Sequence, residues 1–310
     1  MLLDETALML KGMDGAMYTG CDMNTTTGDM DYLDGKCDYV LAAIGNPTCC
    51  PNTATAFGVF GAVEACLGGD VAGKSLLVHG CGGVGSVVAK LLIEHGAAKV
   101  QTVDVDHGRA DIAGCVNKSS AEEWWTQEVD CIVPCSSSGL LTEEKQKGLV
   151  AGTVVGATNL PFATKEAQRA AELELTFVPE GVSSAGAVIV DSVEHYARAQ
   201  FAAAAPSELY EFTRQTVREK TQEVLALSRR LAVPPSLVLP LAAEAAEHSP
   251  PIGSRFVKFV EGREEKAAAT GAAAATRQAA EAMAQAEQLR AAMAARPSPT
   301  HSFVNGEQRM

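Results

Sequence analysis

The chain has 310 residues, 47% of them hydrophobic, enough to bury the core of one large or two ordinary domains. Its 25 Lys and Arg against 38 Asp and Glu leave a net charge of −13, which argues against nucleic acid, a partner that needs a basic patch. No run of about 18 apolar residues reads as a membrane span. The N-terminal "MLLDETALMLKG" lacks the basic start and cleavage site of a signal peptide, so the expected location is the cytoplasm.

Residues 1–35 read as polar and loop-rich after one short amphipathic run, and include the acidic stretch "MYTGCDMNTTTGDMD". Residues 36–195 alternate short apolar runs with helical patterns. The runs at 75–80, 98–105, 130–134, 152–156 and 174–179 predict strands, and helical patterns at 84–96 and 161–174 follow two of them. Continuous β-branched runs separated by helices predict an α/β fold, a doubly wound parallel sheet covered on both faces. Helices are predicted over 184–200, 206–232 and 236–248, the second opened by Pro206. Beyond 249 the composition shifts. Residues 266–296 are alanine-dominated and predict an exposed or partly formed helix with little to bury, and the last stretch reads as disordered.

Nine cysteines are scattered without paired metal spacing, so they read as small buried hydrophobes in a reducing compartment, and no metal site is expected. The sharpest local signal is Gly80-x-Gly82-x-x-Gly85, with a strand before it and a helix after it. Gly80 permits a tight turn and Gly82 lets backbone approach a pyrophosphate. Gly85 lets the helix pack on the strand, and Gly83 and Val84 complete the loop. The helix N-terminus then faces the phosphates with free N–H groups. Asp104, nineteen residues beyond Gly85, is placed to accept ribose hydroxyls and to repel a 2′-phosphate, which favours NAD over NADP. Arg109 lies nearby and weakens that preference. A glycine-rich turn without ligand is the bland alternative.

Eight blocks then fall in a recognisable order: "YTGCDMNT" (18–25), "GDMDYL" (28–33), "TAFGVF" (55–60), the glycine loop, "DCIVPCSSSGLL" (130–141), "VVGATNLP" (154–161), "VPEGVSSAGAVI" (178–189) and "ALSRRLAVPPSLV" (226–238). Together they resemble the NAD-dependent amino acid dehydrogenases of the Glu/Leu/Phe/Val type, nearest the leucine and phenylalanine branch, from about Met13 to His248. The resemblance implies a substrate domain and a Rossmann-type NAD domain with a cleft between them. On this reading residues 1–35 are a remnant of the substrate domain, 36–195 the NAD domain and 196–248 C-terminal helices packing back on the substrate domain. Residues 249–310 form a helical or disordered tail. It also implies the reaction: a branched-chain or aromatic L-amino acid is deaminated to its 2-oxo acid and ammonia, and NAD takes the hydride. Relatives form homo-oligomers, so one is expected where the full substrate domain is present.

Carried over by position, Asp22 matches the aspartate that exchanges a proton with the substrate amine. Thr55 matches a threonine that bonds the nicotinamide amide, with Thr53 a substitute if the preceding loop carries extra residues. Pro134, Cys135 and Ser136 match a strand end whose backbone touches the nicotinamide ribose, and Asn159 an asparagine of the cleft. The bland alternatives are a surface loop acid for Asp22, a helix N-cap for Thr55 and a turn residue for Asn159. Two departures stand out. Ser184 replaces a family asparagine with a shorter group that has one donor. The glycine-rich segment carrying the carboxylate-binding and general-base lysines has no counterpart here, and those partners are expected upstream of Met1. The chain is therefore read as an incomplete dehydrogenase that binds NAD with little or no deamination. The alternative is a non-catalytic NAD-binding module derived from the family.

Overall fold

The structure, a computed structural model of the chain, describes residues 2–22, 25–41, 43–44, 46–246 and 249–263. Met1–Lys258 form one compact unit, and Phe259–Met310 a second of which residues 259–263 are described, as helix. The alanine-rich helix predicted over 266–296 and the disordered end lie outside the described residues.

Six strands, each parallel to its neighbours, stand in the order β3-β2-β1-β4-β5-β6. They are β1 (Ser75–His79), β2 (Lys99–Val103), β3 (Val116–Asn117), β4 (Cys131–Pro134), β5 (Thr153–Val155) and β6 (Thr176–Val178). All five predicted strands are present, slightly shorter than read, and the two-residue β3 is additional. Leu76 and Val78 point into one buried layer with Val133 and Val155, whereas Leu77 points into the other with Ile132 and Val154. That period of two, apolar on both faces, is why the strands read as unbroken hydrophobic runs. The order reverses between β1 and β4, so the crevice at their C-terminal ends is where such a sheet takes a ligand.

The helices are α1 (Leu2–Gly12), α2 (Thr27–Asp34), α3 (Pro51–Cys66), α4 (Gly85–Glu94), α5 (Glu143–Lys147), α6 (Lys165–Ala171), α7 (Glu180–Ser183), α8 (Gly186–Tyr196), α9 (Arg198–Ala203), α10 (Pro206–Leu231) and α11 (Pro235–Ala246). Residues 1–35 thus hold two helices rather than mainly loop. Ala7, Leu10, Met30 and Leu33 close a small core of their own with Cys37 and Val40. α2 starts on a capping box: Thr26 Oγ1 accepts the Asp29 N–H and the Asp29 carboxylate accepts the Thr26 N–H. The Thr26 hydroxyl, donating to the Asp29 carboxylate at 2.7 Å, and then the Thr26 N–H hold that carboxyl below its usual value. Exposed apolar side chains gather where a further domain was expected to pack: Leu2, Leu8, Met9, Met13 and Met17 at the start, Leu231, Leu237 and Leu241 around α11.

α3 is the central helix of one layer. A Cβ on Gly61 would sit 2.3 Å from the Arg214 carbonyl of α10, and one on Gly186 would sit 2.3 Å from the Ala54 carbonyl of α3. Backbones therefore touch at both places. One turn beyond Gly61, Glu64 is buried and takes a two-pronged hydrogen bond from Arg214, at 2.8 Å from Nε and 2.7 Å from Nη2. Glu211 holds the remaining face of the guanidinium. Removing one partner of such a pair strands a buried charge. Arg214→Ala is expected to lower stability by about 3 kcal/mol in urea denaturation, and a Glu64→Met/Arg214→Met double variant to recover most of it.

Candidate functional site

The glycine loop leaves β1 at His79. Gly80 has φ +91°, and a Cβ there would lie 2.6 Å from the Cys135 carbonyl. At Gly85 the clearance is smaller still: a Cβ would meet the Gly80 carbonyl at 1.8 Å. Both positions admit only glycine. A Cβ on Gly82 would meet nothing within 4 Å, so that backbone faces open space, as a pyrophosphate cradle requires. Val84 is the N-cap of α4 and no side chain caps the helix there, so its N-terminal end is turned to the loop; the Ser86 N–H donates to the Gly82 carbonyl at 3.1 Å. Asp104 is the first residue after β2. Its Oδ2 accepts the Cys81 N–H at 2.7 Å and its Oδ1 the Asp106 N–H at 2.9 Å. The acid thus fixes the loop, and each oxygen keeps a lone pair for a ribose hydroxyl. Arg109 pairs with Asp106 instead of standing free beside Asp104. These residues fit a dinucleotide. Asn52, missed in the sequence, belongs with them: its Nδ2 lies 3.0 Å from where a Gly83 Cβ would be.

The second half of the crevice is a mesh of short polar groups. The Pro134 carbonyl accepts the N–H groups of Ala157 and Thr158, and the Cys135 N–H donates to the His79 carbonyl at 2.7 Å. Ser136 donates its N–H to Thr158 Oγ1 at 2.8 Å and takes the Thr158 hydroxyl on its own carbonyl at 3.2 Å. The N–H groups of Cys135 and Ser136 are therefore engaged within the protein, and the Ser136 hydroxyl lies 2.9 Å from His79 Nδ1. Asn159 is exposed, just before Leu160, whose φ of +48° is strained for a leucine. Glu180 holds that turn by accepting the Leu160 N–H at 3.0 Å. Ser184 Oγ donates to the Glu180 carbonyl at 2.8 Å, so its single proton is engaged. Thr55 is the fifth residue of α3, not its N-cap, which is Cys50; its Oγ1 accepts the Ala187 N–H at 3.2 Å.

α8 joins this crevice to the Asp22 segment. Its first turn carries Ala187 on Thr55. About two turns, roughly 10 Å, further on, Glu194 accepts the Ala43 N–H at 3.0 Å, and His195 meets the Tyr18 ring edge-on at 4.7 Å. Between them Asp191 Oδ2 lies 3.8 Å from where a Gly20 Cβ would be, two residues before Asp22. Asp22 is exposed, in a loop closed by Thr25, whose Oγ1 accepts the Asp22 N–H at 2.8 Å. The segment that carries Asp22 and the cofactor candidate Thr55 thus both meet α8, through Gly20 and Ala187 respectively.

Asp191 carries no signal in the sequence. Burial, and then the Glu194 carboxylate one turn away, push its carboxyl up to about 7. A carboxyl raised in the folded state stabilises fully below its unfolded value, and that stability is lost as the pH climbs to about 7. Asp191→Asn is therefore expected to be the more stable protein at pH 8 by roughly 1–3 kcal/mol, less than the full rise would carry because some solvent reaches the group. The gain should fade towards pH 4 when urea midpoints are compared.

Residues 109–248 match the sequence profile of the Glutamate/Leucine/Phenylalanine/Valine dehydrogenase family. The leucine dehydrogenase of Bacillus subtilis (strain 168) is 28% identical over 204 residues, 60% of this chain and 54% of that enzyme. The phenylalanine dehydrogenase of Bacillus thermotolerans is 27% identical over 205 residues, 60% of this chain and 53% of the relative. This chain spans about half the length of the curated relatives it matches. Among solved structures, the L-tryptophan dehydrogenase from Nostoc punctiforme superposes with a TM-score of 0.63 at 19% identity, over 79% of this chain and 70% of the other. The hetero-hexameric glutamate dehydrogenase from Thermus thermophilus (Leu bound form) gives 0.63 at 18%, over 84% and 68%. At those identities the structures speak for the fold alone. Fold, motif order and sequence profile converge: over residues 109–248 the chain is similar to the Glu/Leu/Phe/Val dehydrogenase family, and the relatives it resembles are leucine and phenylalanine dehydrogenases.

Proposed function

We propose that this chain binds NAD(H) in the crevice between β1 and β4 and belongs to an oxidoreductase that deaminates a branched-chain or aromatic L-amino acid. The observation that carries the nucleotide reading is the Asp104–Cys81 bond together with the two clashes that forbid any residue but glycine at Gly80 and Gly85. When bound, NAD supplies the hydride acceptor. The chain's own residues do the rest. Gly82, Gly83 and Val84 present backbone to the pyrophosphate, and Asp104 accepts the ribose hydroxyls and disfavours a 2′-phosphate. Thr55, Ser136, Asn159 and Ser184 line the nicotinamide end, and Asp22 holds or releases a proton at the substrate amine.

The family's two lysines have no match in residues 1–310. A general base is worth roughly 10²–10⁴ in rate, and a carboxylate anchor positions the substrate. This chain by itself is therefore expected to bind the cofactor and turn amino acids over slowly. A non-catalytic nucleotide-binding module predicts the same affinity and no turnover when the missing lysine segment is supplied. Calorimetric titration tests the reading. NADH should bind, and Gly85→Val should abolish binding of both NADH and ADP. Asp104→Ala should weaken NADH by about 10- to 100-fold while leaving NADPH less affected. Failure of the unaltered chain to bind either ligand at millimolar concentration contradicts the proposal.

A further inference from the structure

His79 ends β1 immediately before Gly80, and its ring is the one side chain of that strand turned into the polar mesh. Nδ1 lies 2.9 Å from Ser136 Oγ. The ring packs against Trp124 with centroids 4.4 Å apart, and the residue is buried. Lys145, whose Nζ lies 5.6 Å from the Trp124 ring centroid and 5.2 Å from that of Trp125, stands behind the pair. Burial first, and then the Lys145 charge, hold the imidazole down at about 4, so it is neutral at working pH and one ring nitrogen accepts. Ser136 is held at the backbone by Thr158, which leaves its side-chain torsion as the free variable. A serine hydroxyl has three staggered wells and no preference strong enough to choose one unaided.

We propose that His79 is a positioning residue for the cofactor: by bonding the Ser136 hydroxyl through Nδ1 it selects the one rotamer in which the Ser136 oxygen faces the nicotinamide ribose. The inference rests on the nucleotide reading above and deepens it. The adenosine end is fixed by the glycine loop and Asp104, and the reactive end by a His–Ser pair from β1 and β4. The Trp124 ring keeps the imidazole plane in place, and Gly80 brings the two strand ends close enough for the bond, since a Cβ there would lie 2.7 Å from Ser136 Cβ.

NADH and ADP titrations of the full chain test this, with ADP as a probe that lacks the nicotinamide half. His79→Phe keeps a ring against Trp124 and removes Nδ1. It should weaken NADH by roughly 3- to 10-fold and leave ADP within about twofold. His79→Asn, with a polar atom near the Nδ1 position, should restore most of the NADH affinity. Adding His79→Phe to Ser136→Ala should weaken NADH no further than Ser136→Ala alone. Equal losses for NADH and ADP, additive effects of the two substitutions, or an unchanged His79→Phe each overturn the proposal. If His79→Phe does not fold, Ser136→Ala decides: unaltered NADH affinity there overturns it. An unaltered chain that binds neither ligand overturns the nucleotide reading itself, a result distinct from normal binding that ignores His79.

Discussion

The direct backbone contact of α3 with α10 and α8 is the constraint on which the rest depends. Glycine at Gly61 and Gly186 lets the three helices approach without side chains between them. The buried Glu64–Arg214 pair then locks α3 to α10 in one register. Ion pairs of this kind add little net stability but penalise any slip that separates them. Register matters here because α10 holds α3, and α3 and α8 meet at the crevice. α3 presents Thr55 and Asn52, and α8 runs from Ala187 to the Gly20–Asp22 segment. A slide of one turn, 5.4 Å, would remove Thr55 from Ala187 and Asn52 from the glycine loop together.

Much of this was legible in the sequence, for identifiable reasons. The sheet strands are buried on both faces and therefore announce themselves as apolar runs. The glycine loop is legible because steric exclusion at Gly80 and Gly85 leaves one residue type. α3 was obscured by the same physics that makes it central. From Ala54 to Glu64 it is buried almost all round, so it shows no polar face and no helical periodicity, and its start, "CCPNT", looks like a loop. α2 was hidden by its threonines and aspartates, although Thr26 and Asp29 carry the three-residue spacing of a cap. Asp29 is the N3 residue of that capping box.

The site divides along the same line. Its adenosine half is local in sequence, a loop and an acid on the following strand, and could be read directly. The half proposed to take the nicotinamide is assembled around β1, β4, β5, α3 and α7, with partners such as His79 and Ser136 separated by 57 positions. No spacing rule reaches across a parallel crossover of that length. Resemblance could nominate Pro134, Cys135, Ser136, Asn159 and Ser184, but only coordinates reveal which of their polar groups are already engaged.

That accounting bears on Ser184. A family asparagine in its place would offer two donors, whereas the serine has one, and that one is held by the Glu180 carbonyl. Only oxygen lone pairs remain there for a ligand, so a nicotinamide amide can meet Ser184 as a donor but not as an acceptor. The same carbonyl also accepts the Ser184 N–H at 2.9 Å, so residue 184 is held to Glu180 by backbone and side chain together, while the Glu180 carboxylate holds the strained turn at Leu160. In the proposed complex, orientation of the reactive ring would then fall on Thr55 from α3 and the Ser136 hydroxyl just after β4. Serine at 184 and the histidine behind Ser136 are thus physically linked features, since loss of an anchor on one wall of the crevice raises the value of a fixed rotamer on the other.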